Sequence, residues 1–240
     1  MREGFRDYGL RDRKRAKTRV ALVEALVPRL ASRSLDDISV AELADEVGVS
    51  PGTVFNYFPT KAQLLTHTVQ LWSLRMARHF RDHFAAHGHP LAAVEALYLA
   101  TATELQDGPG VMMEIIAHQA RHGHLEAPEV ERVERLLYLD DDPDAATLTD
   151  RGAGELIAAA HIAALERGIL PEDTQVELLT LGIASVFFGV PLLVGHDQPE
   201  AVGPLYQLQL RTVWRGAGAD LSGMPPLVAP PAAPVRAPGK

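Results

Sequence analysis

Between Ser39 and Lys61 the sequence SVAELADEVGVSPGTVFNYFPTK carries three helix starts and two helix stops, which leaves room only for short helices joined by tight turns. Ser39 stands three residues before Glu42, the spacing of a capping box in which hydroxyl and carboxylate each reach the other residue's amide. Leu43 and Val47 then share a face, and Gly48 supplies the positive φ that follows a last turn. Ser50 before Pro51 is a second start: Ser is a favoured N-cap, and Pro fits the first helical position, where its missing amide costs nothing. This helix cannot extend past Phe58, the residue before Pro59. Thr60 and Gln63 form a third capping box and place Lys61 in the first turn of the next helix. Two short helices with a tight turn, followed by a third, read as a helix-turn-helix.

At about 100° per residue, the middle helix turns Pro51, Val54, Phe55 and Phe58 to one side. Gly52, Thr53 and Asn56 face the other way, with Tyr57 on the flank. The apolar side is expected to bury against Leu43, Val47 and Val49. The opposite side is small and polar, which suits close approach to base edges in a major groove. Asn56 is placed to read adenine and Thr53 to offer a methyl or hydroxyl contact, while Tyr57 and Lys61 suit phosphate oxygens. Lys61 also lies at a helix N-terminus, where free amides favour an anion. In isolation such a face would equally be a solvated helix surface. The capped three-helix context favours the nucleic-acid reading.

The run LADEVGVSPGTVFNYFPTKAQLL resembles the signature of TetR-family transcriptional regulators, over roughly Arg11 to Leu65. That resemblance implies an all-α fold: an N-terminal three-helix DNA-binding domain, then a larger helical domain for ligand binding and dimerisation. By position it also implies that Ser39, Ser50, Thr53, Phe55, Asn56, Tyr57 and Lys61 touch operator DNA, with Ser39, Tyr57 and Lys61 mainly on phosphates. Two residues depart from the family pattern. Ser34 stands where Gly is common after the first helix, and Pro28 falls near the end of that helix, where a kink is expected.

Charge is distributed to match. The chain has 23 Lys plus Arg against 31 Asp plus Glu, a net of -8, which taken alone argues against a nucleic-acid binder. Residues 1–19 nevertheless hold 8 basic and 3 acidic side chains, whereas residues 66–240 hold 12 basic and 22 acidic ones. Such polarity turns the basic end toward phosphates. Residues 1–10 are accordingly expected to form a basic arm that tracks the DNA backbone or minor groove, and residues 11–65 the DNA-binding domain. The absence of cysteine excludes a disulfide framework, a thiolate nucleophile and a Cys-ligated metal. The charged N-terminus does not read as a signal peptide, so a cytoplasmic protein is expected.

From Leu64 to Gly216 the sequence shows helical periodicity broken by Gly, Pro and Asp. It predicts helices at about Ala62–His87, Pro90–Asp107, Val111–Gly123, Pro128–Leu139 and Gly152–Arg167, with a final pair at Glu172–Pro191 and Pro199–Gly216. Leu178 to Gly195 has no charged side chain but is broken by Gly182, Gly189 and Pro191, which disfavours a membrane span. A helix apolar all round is instead one buried on two sides, against its own domain and a partner subunit. In the family it resembles, the last two long helices pair with those of a second copy, so residues 66–216 are expected to carry both ligand binding and the dimer seam. The Pro and Ala rich residues 217–240 are expected to be disordered or extended.

Three clusters invite other chemistry. His79, His83 and His87 recur every fourth residue and adjacent members can chelate a metal, although an exposed His-bearing face explains them as well. His118, His122 and His124 form a second group. Asp140, Asp141, Asp142 and Asp144 resemble a calcium loop, but Ala145 replaces the needed Gly and Arg151 the bidentate Glu, so a solvated loop is expected. Trp72, Met76, Tyr98, Met112, Met113, Phe187 and Phe188 are the soft and aromatic residues of a pocket for an apolar or aromatic ligand, or of ordinary core. No cofactor and no catalytic constellation are expected. The reading is a homodimeric repressor, released from a palindromic operator in double-stranded DNA by a small-molecule effector. A metal-responsive or activating regulator of the same fold, and a helical binding protein or enzyme with a vestigial N-terminal domain, are the alternatives.

Overall fold

A computed structural model describes residues 3–123, 129–140, 142–148, 152–195 and 197–227. In chain order its helices are α1 (Glu3–Arg6), α2 (Leu10–Leu30), α3 (Val40–Val47), α4 (Pro51–Tyr57), α5 (Lys61–His87), α6 (Pro90–Asp107), α7 (Pro109–His122), α8 (Arg132–Tyr138), α9 (Gly152–Glu166), α10 (Val176–Val194) and α11 (Val202–Gly216). No strand occurs among the described residues, as the periodicity predicts. The chain divides into two compact units, residues 1–79 with 108–155, and residues 80–107 with 156–240.

The first unit is built around α2. Its apolar stripe Ala16, Val20, Val23, Leu26 and Leu30 is buried against Leu43 and Ala44 of α3, Val54 and Phe58 at α4, and Leu64 and Leu71 of α5. Pro28 does not end α2, which runs on to Leu30. Gly110 opens α7 so close to the Leu30 carbonyl that no Cβ would fit there. Helix α8 covers the outer side of α2 and begins where the Glu131 amide donates to the Glu134 carboxylate at 2.8 Å. It is shorter than the predicted Pro128–Leu139 helix, and Pro128 itself lies outside the described residues. Residues 1–10, expected as an arm, instead carry α1, whose Phe5 is 2% exposed and packs with Ala16 and Val133. An aromatic ring with an apolar seat available folds back rather than staying in water.

The second unit packs α6 against α10 and α11. Helix α10 is long and apolar enough to cross a membrane, with a mean hydropathy of 2.0, and a third of that window is buried within the chain. One face, Leu179, Ile183, Val186, Phe187 and Val190, is core. Another leaves Leu178, Leu181, Leu192 and Leu193 between 57% and 79% exposed, with Leu208 of α11 at 52%.

Helix α10 was expected to stop at Pro191 but continues to Val194. A proline at 191 has no amide for the Phe187 carbonyl four residues back. The Tyr206 hydroxyl of α11 donates to that carbonyl at 2.7 Å, and the Tyr98 hydroxyl of α6 donates to the Ile183 carbonyl at 2.7 Å. Burial pushes both phenols above their ordinary value. The start also differs, at Val176 rather than Glu172, because the Thr174 amide closes a turn on the Pro171 carbonyl at 3.0 Å. Before α11 a 3-10 turn occupies Pro199–Ala201.

Two buried polar groups set the register of these helices. Arg211 grips Glu95 through Nε and Nη2 at 2.7 and 2.6 Å, and Gln207 donates to the same carboxylate at 2.6 Å. His161 of α9 accepts from Trp214 Nε1 at 3.1 Å and so donates through Nδ1 to Thr180 at 2.9 Å. The beginning of the expected tail is ordered on this unit. The Asp220 amide bonds to the Ile169 carbonyl at 2.8 Å, and Arg211 reaches the Pro225 carbonyl at 2.6 Å. Residues 228–240 of that tail lie outside the described residues.

Two outcomes follow from these contacts. Tyr206→Phe strands the Phe187 carbonyl and is expected to cost about 1–3 kcal/mol in urea unfolding. The cost should shrink in a Pro191→Ala background, where residue 191 regains its amide, and a double-mutant cycle measures the difference. His161 is lowered by burial to about 4. The unfolded imidazole keeps its ordinary value near 6.5, so between pH 6.5 and 4 the unfolded chain binds a proton the folded chain does not. Stability is therefore expected to rise with pH across that window, by up to about 3 kcal/mol. Urea unfolding at pH 4.5 and pH 7 should show a smaller rise in His161→Gln than in the parent.

Candidate nucleic-acid interface

The turn between α3 and α4 follows the cap signals closely. Gly48 takes φ 73° and ψ 37°, and the Val49 amide closes back on the Ala44 carbonyl at 2.9 Å. Ser50 Oγ accepts the Thr53 amide at 3.2 Å and lies 2.9 Å from Thr53 Oγ1, so one hydroxyl both caps α4 and fixes the Thr53 rotamer. Thr60 and Gln63 form both legs of their capping box at 3.2 Å. Ser39 departs from its box: its hydroxyl takes the Ala41 amide at 3.1 Å instead of that of Glu42. The Glu42 carboxylate is bound by Arg33 at 2.9 Å, and this bond, with a smaller contribution from the Ser39 backbone, holds it below the ordinary carboxylate range. Ser34, in place of the usual glycine, makes its own turn by accepting the Asp37 amide at 3.3 Å.

Helix α4 buries Val54 and Phe58, at 2% and 1% exposure, and leaves Gly52 and Asn56 exposed with Thr53 and Tyr57 half-buried. The projection is corrected at two positions. Pro51 is exposed and Phe55 is 48% exposed, because a seven-residue helix brings only its i, i+4 pair onto the core. Phe55 thereby joins Gly52, Thr53 and Asn56 on the open side. Ser39 and Ser50 are exposed as well.

Lys61 is engaged within the fold. Its ammonium donates to the carbonyls of Leu35, Asp36 and Ile38 at 2.8, 2.9 and 3.1 Å, which ties the loop before α3 to the start of α5. Those three bonds use all the donors of an ammonium. The basic N-terminal residues divide similarly. Arg6, Arg11, Lys14 and Lys17 are exposed, Arg15 pairs with Glu131 at 3.1 Å, and Arg19 is 1% exposed.

Arg19 belongs to a buried cluster that sequence reasoning missed. Arg19 Nε lies 3.1 Å from Glu134 Oε1, which lies 3.2 Å from His67 Nε2; His67 Nδ1 lies 3.1 Å from Gln70. Burial lowers the guanidinium from its ordinary value, and Glu134 and Glu131 oppose that. A signal was present: Arg19 stands on the buried stripe of α2, beside Ala16 and Val20, where the pattern calls for an apolar residue.

The other candidates divide between the two units. Tyr98 and Phe187 pack edge to face at 5.2 Å, and Phe187 and Phe188 at 5.1 Å, in the core of the second unit. Trp72, Met76, Met112 and Met113 belong to the first, where Met76 and Met112 are buried. A depression of about 410 Å³ on the second unit is lined by Asp173, Gln175, Leu179 and Val213 and by none of the residues proposed for a pocket. The His83 and His87 rings are 4.4 Å apart, with His79 exposed. Burial, and then His87, lower His83. No group of three or more potential ligands converges among the described residues. Asp142 is buried and accepts the Asp144 amide at 2.8 Å, a turn rather than an open cation loop; Asp141, Arg151 and His124 lie outside the described residues.

A capped three-helix unit with a short second helix that presents Gly52, Thr53, Phe55 and Asn56 has the geometry of a helix-turn-helix. Residues 22–68 match the family described as bacterial regulatory proteins, tetR family. No curated protein matches the chain. Among solved structures, the Thermus thermophilus TetR-family repressor FadR in complex with lauroyl-CoA is similar. It is 21% identical, with 92% of this chain and all of that one covered, at a TM-score of 0.59. The fatty acid degradation regulator FadR from Bacillus halodurans is 16% identical over 79% of this chain and 96% of that one, at 0.55. RolR in complex with resorcinol is 15% identical over 92% and 100%, at 0.52. Residues 22–68 thus match the TetR-family domain, and along nearly its whole length the chain has the fold of TetR-family transcriptional regulators.

Lys61→Met removes three hydrogen bonds, to the carbonyls of Leu35, Asp36 and Ile38. It is expected to destabilise the protein by about 1–3 kcal/mol, read as a lower midpoint in thermal unfolding without DNA. An unchanged midpoint would mean that the ammonium is free for phosphate.

Proposed function

We propose that this protein is a homodimeric, ligand-responsive transcriptional repressor acting on a palindromic operator. The observation that carries it is the open face of α4, where Gly52, Thr53, Phe55 and Asn56 are accessible while Val54 and Phe58 anchor the helix from behind. Gly52 allows close approach to a base pair, Asn56 can pair with the adenine edge, and Thr53, oriented by Ser50, can meet a thymine methyl or a hydrogen-bond partner. Ser39, Tyr57 and the exposed basic residues of α2 supply backbone contacts.

The exposed leucines of α10 and α11 support association with a second copy, whose matching helices would cover them in a four-helix seam. Two recognition helices related by that two-fold would enter successive major grooves about 34–36 Å apart. The lauroyl-CoA and resorcinol complexes of the similar structures support a small-molecule effector with an apolar or aromatic part. Such an effector releases DNA by favouring a conformation in which the groove spacing no longer fits. A regulator of this kind works in the cytoplasm and needs no catalytic group.

Selection of a binding duplex from a randomised pool, followed by footprinting, tests the proposal. A two-fold symmetric footprint is expected, and a single unsymmetrical site would remove the dimer geometry. Asn56→Ala should cost about 1–3 kcal/mol at the preferred base and relax preference there. If Asn56→Ala discriminates as the parent does, the face assignment is wrong.

A further inference from the structure

Three ionisable side chains lie wholly inside the first unit, around the aromatic ring that ends α4. Arg19 is 1% exposed, and His67 and Glu134 are 0% exposed. Glu134 Oε1 holds Arg19 Nε at 3.1 Å and His67 Nε2 at 3.2 Å, while Oε2 accepts the Glu131 amide that opens α8. Arg19 Nη2 also donates to the Glu129 carbonyl at 3.2 Å, and Nη1 lies 3.6 Å from Glu131. The Phe58 ring rests on this cluster, its centre 5.4 Å from the Arg19 guanidinium carbon and 5.1 Å from the His67 ring centre. Phe58 closes α4, its amide donating to the Val54 carbonyl at 2.8 Å.

Stability alone gives such a cluster little reason to exist. Burying charges costs desolvation that their attraction roughly repays, and apolar residues of similar volume commonly do as well or better. What apolar residues lack is a fixed plane. A guanidinium held on several sides by α8 and the segment before it admits one orientation, and Phe58 lies across it at cation–π distance. All three side chains are buried whereas Gly52 and Asn56 are exposed, so an effect on that face passes through the end of α4, at Phe58 and the neighbouring Tyr57, which also interacts with Arg19.

We propose that Arg19, His67 and Glu134 are positioning residues for the recognition helix: they set the seat of Phe58 and thereby the angle at which Gly52, Thr53 and Asn56 are presented. Helix α8 holds that seat through Glu134, so displacing α8 would turn α4. The proposal rests on the reading of α4 as the DNA-reading element.

The test uses the full-length protein, a duplex it selects from a randomised pool, and a scrambled duplex of equal length. Glu134→Gln keeps the shape and removes the charge. Arg19→Met with Glu134→Leu replaces the pair by apolar groups and guards against failure of the single variant to fold. With folding verified by circular dichroism, both variants are expected to lose roughly three- to thirtyfold of the preference for selected over scrambled duplex, the scale of residues acting through packing. Affinity for the scrambled duplex should stay at the parental level, and the amide resonances of Gly52–Tyr57 should move in the absence of DNA. Folded variants with parental preference overturn the proposal, and so does failure of both variants to fold, which makes the cluster a stability element. A parent that selects no duplex overturns the DNA reading itself. The amide resonances, which need no DNA, distinguish that failure from a failure of the positioning mechanism.

Discussion

A helix of seven residues cannot hold its own shape in water, since nucleation consumes more entropy than so few hydrogen bonds return. Helix α4 therefore exists only because Val54 and Phe58 are driven into the core of the first unit. The turn around Gly48, the Ser50 cap, the ammonium of Lys61 across the loop carbonyls, and the polar seat under Phe58 all serve that one docking. In the proposed role, a DNA-reading face on so short a helix gains accuracy from this arrangement. With two anchoring side chains behind it, the open face, Phe55 apart, can consist of small residues that contribute little to stability and are free to follow the shape of a groove.

The second unit solves a different problem. Helix α10 is apolar on nearly every side, so its side chains give no polar cue to orientation. Orientation comes from polar groups on its neighbours. Tyr98 and Tyr206 donate to carbonyls along α10, Thr180 reaches His161, and the Glu95–Arg211–Gln207 cluster locks α11 against α6. These are directional bonds in a low-dielectric setting, where one geometry satisfies them and slippage leaves a donor or acceptor unpaired. The leucines left outside are then confined to one side, which is what a self-complementary seam requires.

The helix order, the helix-turn-helix and the cap residues were legible because their causes are local: a hydroxyl two or three residues from an amide, a glycine at positive φ, a proline without a donor. Residues 90–107 were delimited to the residue for that reason. Failures came where a partner distant in sequence decides. Pro191 reads as a stop until Tyr206 supplies the missing donor, and residues 217–227 read as loose until Ile169 and Arg211 bind their backbone. Phe5 reads as part of an arm until α8 offers it a seat.

Composition and spacing alone established an all-helical chain, the helix-turn-helix, and the outward turn of Gly52, Thr53 and Asn56 with Tyr57 at the edge; that Phe55 joins them was decided by the packing of Val54 and Phe58. Which charges are available to DNA was beyond composition and spacing. Lys61, Arg15 and Arg19 all look like phosphate ligands in a row of letters, yet each is held by a carbonyl or a carboxylate that folding brings close. Side-chain charge is a property of the residue, whereas its availability depends on what lies within about 4 Å, and that distance is fixed only when helices far apart in the chain pack together.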